Sequence, residues 1–194
     1  FDSFIGVDFN YDKRNQKFAT TDGFFTKYSV SIPIFSETGT LKNSYNFKTF
    51  SELYENNVTT ASLLLKSSIS INDEDIKLSE RLFVPGNRLR GFERGKVGPK
   101  DGSDFIGGNY LTAFNLTTSI PKLLENSQTM DFVAFFDAAN VWGVDYNDSL
   151  DNSKIRSSTG LSINWFTPIG PLSFSLAAPI TKADSDKTET FRFD

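Results

Sequence analysis

Arg88, Arg90, Arg94, Lys96 and Lys100 form a local cluster of cations in and just beyond the run "RLRGFERGK", broken by Gly91 and Gly95. A guanidinium fork grips a carboxylate through two parallel hydrogen bonds, so the chemistry on offer is anion recognition. An isolated loop of this kind simply solvates its charges. The cluster gains meaning only if the fold brings an acid to it. Little else in the chain could do chemistry. There is no His and no Cys, which removes thiol nucleophiles, His general bases, Cys/His zinc sites and the Ser-His-Asp triad. The segment "DYNDSLDNS" (145–153) places Asp145, Asn147, Ser149 and Asp151 at alternate positions, like a calcium loop. It has Leu150 where an EF-hand needs Gly and Arg156 where it needs Glu. "NVT" (57–59), "NLT" (115–117) and "NDS" (147–149) match glycosylation acceptors, a pattern short enough to arise by chance. No enzyme activity, metal or cofactor is expected.

The elements that must position the cluster are strands. The 194 residues carry a net charge of −4, which disfavours a nucleic-acid partner. No apolar run approaches the roughly 18 residues of a membrane helix. Yet 20 residues are Phe, and that apolar mass must be buried or must face something apolar. Helical periodicity is almost absent, and strict alternation recurs over lengths of about ten residues. In "IRSSTGLSINW", Ile155, Ser157, Thr159, Leu161, Ile163 and Trp165 oppose Arg156, Ser158, Gly160, Ser162 and Asn164. In "TMDFVAFFDA", Met130, Phe132, Ala134 and Phe136 oppose Asp131, Val133, Phe135 and Asp137. Nine strands are predicted, at about 3–12, 23–35, 42–55, 59–73, 109–120, 129–142, 154–167, 171–181 and 188–194.

Short connections ("ENN", "PIGP") alternate with long polar ones (74–108 and 143–153). That asymmetry fits an outer-membrane β-barrel, and a mean hydropathy of −0.30 fits strands with one wet face. A soluble antiparallel sandwich also alternates. The strands are long against the usual 5–6 residues or so, and the polar face is rich in Ser, Thr, Asn and Gly, which favours the barrel. The fold class is therefore all-β, an antiparallel transmembrane β-barrel portion of about nine strands. An odd count with two open edges points to part of a larger barrel.

Five segments in order then resemble one family: "RLRGF" (88–92), "DFIGGN" (104–109), "FFDAANVWG" (135–143), "NWFTPIGPLSFSLAAPI" (164–180) and "DKTETFRFD" (186–194). They are similar to the C-terminal half of the barrel of the outer-membrane protein assembly (BamA) family, also called the bacterial surface antigen family. "YDKRNQKFATTDGFF" (11–25) resembles that family's strand-turn-strand. The resemblance implies a sixteen-stranded barrel preceded by periplasmic POTRA repeats. Residues 1–194 would then be the C-terminal part of one barrel domain, without the early strands and repeats.

On this resemblance, 74–108 is a long extracellular loop folded back into the lumen, with Leu89, Arg90, Gly91 and Phe92 at its tip. Arg90 is expected to meet Asp137 on the inner wall, Gly91 to allow the turn and Phe92 to pack on the wall. A second family acid would fall near Thr117, beside Asn115; Thr117 is uncharged, which leaves Asp137 as the single expected carboxylate anchor. Phe191, Arg192 and Phe193 are expected in the last strand, at a lateral seam. The implied function is assembly and insertion of client barrels in the bacterial outer membrane. The implied partners are client outer-membrane proteins, the lipid bilayer, and assembly lipoproteins bound through the region N-terminal to this chain. The competing readings are a related superfamily transporter (a translocation and assembly module or a two-partner secretion protein), a passive porin, and a soluble β-sandwich binding module.

Overall fold

The computed structural model describes residues 3–17, 19–36, 39–54, 56–121, 129–151, 153–168 and 170–194. Glu55 of the predicted turn "ENN" and Ile169 of "PIGP" lie outside them. Nine strands form one antiparallel sheet in chain order: β1 (Ser3–Asp12), β2 (Gly23–Phe35), β3 (Thr40–Tyr54), β4 (Asn57–Ser70), β7 (Tyr110–Ser119), β8 (Met130–Trp142), β9 (Arg156–Thr167), β10 (Gly170–Thr181) and β11 (Phe191–Phe193). Two short strands, β5 (Lys100–Asp101) and β6 (Asp104–Phe105), make a separate ribbon inside the long connection between β4 and β7. Among the described residues, β1 pairs only with β2 and β11 only with β10.

Alternation along each strand sorts the two faces. Outward side chains remain exposed although they are apolar: Phe9 is 63 % exposed and Leu161 57 %, joined by Ile32, Leu65, Leu176, Phe191 and Phe193. A water-soluble protein rarely leaves so much contiguous apolar surface bare; an outer face turned to hydrocarbon requires it. Many inward side chains are polar or small, with Ser62, Asn115, Asp137, Ser158, Ser162 and Ser175 all buried.

What buries them is the connection between β4 and β7, which lies against this inner face. Arg88 bonds side chains of β3, β4 and β7, Arg90 bonds β8, and the Arg90 carbonyl accepts from Ser158 on β9. A Cβ on Gly91 would meet Ala177 on β10 at 3.1 Å. Six neighbouring strands laid flat would spread over roughly 24 Å, at about 4.8 Å each. One tetrapeptide touches all six only because the sheet curls around it, as a barrel wall does.

The last predicted strand departs from expectation. Its ladder begins at Phe191 rather than at Thr188. Thr188 forms an isolated bridge with Phe92, and Glu189 donates its N–H to the Gly91 carbonyl at 3.2 Å. Backbone groups engaged with the loop tip are not free to extend the ladder to β10. The predicted 59–73 strand ends earlier too, at Ser70.

Candidate functional site

Strand register sets out a polar row across the inner wall. Lys48 pairs with Ser62, Ser62 with Asn115, Asn115 with Asp137, and Asp137 with Ser158. The loop tip sits on this row. Asp137 is fully buried and accepts from the Arg90 backbone N–H at 3.1 Å, from its Nε at 2.8 Å, from its Nη2 at 2.9 Å and from Asn115 Nδ2 at 2.8 Å. The two side-chain bonds are the bidentate pairing that a guanidinium fork provides. A buried carboxylate is tolerable only when its lone pairs are used in this way.

Beneath the guanidinium lies the Phe135 ring, its centroid 3.5 Å from Arg90 Cζ, an added cation–π contact. Phe135 has room because Gly160 stands opposite it in register; a Cβ there would come within 2.7 Å of the ring. Gly91 has φ +87°, the left-handed region that suits glycine.

One row further along, the wall turns apolar. Leu64 pairs with Ala113 and Ala113 with Ala139, while Leu111 pairs with Val141. Leu89, Val84, Val97 and Phe92 of the loop pack on this patch, and Phe92 is 1 % exposed. The loop is thus held by a small hydrophobic core as well as by charge. Phe92 was expected on the wall; the extent of the apolar patch beneath it, from β4 to β8, was not. The in-register small and apolar residues of β4, β7 and β8 are the signal that could have located it.

Thr117 carries no charge and lines a cavity of about 320 Å³ with Lys48, Arg88, Arg90 and Asp194. The position next to it does the anchoring. Asn115 donates to the Arg88 carbonyl at 2.9 Å and to Asp137, and its Oδ1 accepts from Arg88 Nη1 at 3.1 Å. Burial lowers the Arg88 pKa, and the nearby Asp137 charge opposes that shift.

The loop does not rest on a single carboxylate, which corrects the sequence-based expectation. Arg156 and Asp186 are both fully buried as side chains and form a second bidentate pair, Nε to Oδ2 at 3.0 Å and Nη2 to Oδ1 at 3.3 Å. Asp186 also accepts the Ala183 N–H at 2.6 Å and the Gly98 N–H of the loop at 3.4 Å. Towards the outer end, Arg81 pairs with Asp145, whose other oxygen accepts the Ile76 N–H at 2.6 Å. Burial would raise the Asp145 pKa; the Ile76 hydrogen bond and the Arg81 charge outweigh it, and the net shift is downward. The carboxylate that headed the calcium-like pattern is therefore a structural anchor. Sequence reasoning missed both pairs because Arg156 and Asp186 lie 30 positions apart and Arg81 and Asp145 lie 64 apart, with no motif joining them.

In β11, Phe191 and Phe193 point outward and the Phe193 ring meets Phe174 at a centroid distance of 4.9 Å. Arg192 points inward and is buried.

An antiparallel sheet with an apolar exterior, a polar interior and an arginine-anchored loop filling that interior defines a portion of a transmembrane β-barrel. The chain belongs to the Omp85 superfamily, whose domain model matches residues 1–194. It is similar to the outer membrane protein assembly factor BamA of Neorickettsia risticii, at 27 % identity over 62 % of this chain and 16 % of that protein. The BamA of Nitratidesulfovibrio vulgaris is 23 % identical over 97 % of this chain and 24 % of that protein. The crystal structure of Haemophilus ducreyi BamA lacking POTRA domains 1–3 superposes with a TM-score of 0.90 at 27 % identity, over 98 % of this chain and 41 % of that one. The chain spans about a quarter or less of the length of these two curated relatives.

Proposed function

We propose that this chain is the loop-bearing part of an outer-membrane assembly factor that folds and inserts client β-barrels through a lateral seam. The observation that carries the reading is the bidentate Arg90–Asp137 pair at the loop tip, with its carboxylate fully buried. A loop held this firmly braces one wall from within while an edge strand parts from its neighbour. A client strand then adds to that edge through main-chain hydrogen bonds, and the unsatisfied backbone is covered as it forms. Phe191 and Phe193 would face lipid at the seam, and Arg192 the lumen. The action is non-covalent templating rather than bond chemistry. The relatives named as outer membrane protein assembly factors support this reading, together with a bacterial outer-membrane location, client outer-membrane proteins and the bilayer as partners, and lipoprotein contacts made by regions N-terminal to this chain.

Arg90→Ala in the full protein, reconstituted in liposomes, tests it. The expected result is a client-insertion rate lowered roughly tenfold or more, in line with the loss of hydrogen bonds to a charged partner. Unchanged insertion with altered ion conductance would identify a passive pore and overturn the proposal.

A further inference from the structure

The inward face of β11 holds an arginine that neither the wall nor the Arg90 anchor accounts for. Arg192 is 8 % exposed, and its guanidinium points away from its own strand towards the loop. Nη1 donates to the Gly86 carbonyl, Nη2 to the Phe92 carbonyl at 2.5 Å, and Nε to Glu189 Oε1 at 2.5 Å. The two carbonyls bracket the loop tip, one on each side of Leu89–Gly91. Around this contact the backbone of the tip pairs with the segment leading into β11. Glu93 donates to the Lys187 carbonyl at 3.0 Å, Lys187 to the Lys96 carbonyl at 3.1 Å, and Glu189 to the Gly91 carbonyl at 3.2 Å.

We propose that Arg192 is a positioning residue that latches the last strand to the lumen loop, so that seating of the loop and pairing of the strand rise and fall together. This rests on the reading of β11 as a seam strand. The physics is a shared set of bonds. A buried guanidinium must keep its donors satisfied, and here its acceptors belong to the loop while its backbone belongs to the strand. Detaching β11 strips the Gly86 and Phe92 carbonyls of their donor; lifting the loop strips Arg192 of its acceptors. Such coupling is reciprocal by necessity. Lysine could not replace it, since one ammonium lacks a fork wide enough to span two carbonyls and a carboxylate. Gly86 is part of the fit: a Cβ there would come within 2.9 Å of Arg192 Nη1.

The test is amide hydrogen exchange on the full protein in lipid nanodiscs without client, comparing wild type, Arg192→Gln, Arg192→Lys and Gly86→Ala. Arg192→Gln is expected to accelerate exchange at Glu93, on the loop, and at Asp194, on the strand, together and by roughly tenfold or more. Arg192→Lys falls between it and wild type. Gly86→Ala displaces the guanidinium from the loop side without changing any residue of β11, and still accelerates exchange at Asp194, whose N–H bonds the Ser173 carbonyl at 3.0 Å. It carries the test alone if Arg192→Gln does not fold. Acceleration confined to the mutated side would overturn the latch. Client insertion, measured on the same samples, separates the two ideas. Coupled exchange with wild-type insertion would sink the seam reading and leave the latch standing; faster insertion with uncoupled exchange would do the reverse.

Discussion

The inner faces of β1–β2 and of β7–β9 have similar chemistry and different fates. On the first, Lys27 meets Asp8 at 2.7 Å with both side chains more than a third exposed. On the second, Arg90 meets Asp137 at 2.8 Å with the carboxylate fully buried. Every residue of β1 after Ser3 is exposed on both faces, whereas Asp137, Ala139 and Val141 of β8 are almost wholly covered. The strands do not differ in propensity; the loop lies over one and not over the other. A barrel wall is in this sense only half a core, and a folded-in loop supplies the missing half.

Removing the covered charge should give the largest effect. Asp137→Ala leaves the half-buried Arg90 guanidinium and the buried Asn115 Nδ2 without their acceptor, which costs about 3 kcal/mol, the low end for breaking a buried pair because Arg90 keeps some access to water. It should appear in urea titrations of the reconstituted protein as loss of loop protection before the barrel melts. Retention of wild-type stability would mean that the apolar patch alone seats the loop. Phe92→Ala asks the complementary question and should cost roughly 3 kcal/mol, by opening a cavity over Leu111 and Val141. Phe9→Ala deletes the same side chain from the exposed outer face of β1 and should change stability by less than about 1 kcal/mol in detergent micelles. Equal losses would show that the outer face is packed as tightly as the inner.

Much of this was legible in the sequence, for a definite reason. Side-chain period two is imposed by the pleat itself, so the runs around Leu161 and Phe136 disclose their faces without reference to any partner, and Asp137 falls on the inner one. Strand limits at 3–12 and 23–35 match the observed spans because turn residues punctuate them. What remained hidden depends on three dimensions. Arg156 and Asp186 meet only because β10 runs back beside β9 and the segment after it returns Asp186 to the start of β9. The fate of Thr188 and Glu189 was decided by a loop about a hundred residues earlier, whose backbone outcompetes β10 for their hydrogen bonds. The apolar row Leu64–Ala113–Ala139 needs two registers at once, and alternation within one strand fixes neither of them.

A pH titration sharpens the comparison at the outer rim, where partial exposure should leave a smaller signal. The Asp145 pKa is lowered in the folded protein, so its contribution is fully present above the ordinary unfolded carboxylate value of about 3.9. It is lost as pH falls through the lower folded value, when the protonated acid releases Arg81 and the Ile76 N–H. Exchange at Ile76 should therefore accelerate between about pH 4 and lower values, and Asp145→Asn should remove that dependence. A wild-type response in the Asn variant would assign the titration to another group.

The smallest effect belongs to the uncovered pair that opened the contrast. Lys27→Ala removes an ion pair whose charges are already hydrated, and exposed pairs of this kind contribute little to stability and weaken with salt. The unfolding midpoint should move little at low ionic strength and not at all in high salt. A loss comparable to that of Asp137→Ala would show that β1–β2 is covered in the assembled barrel, by strands or loops that this chain does not contribute. The difference between the two walls would then reflect which partner covers each of them, with the same burial physics acting on both.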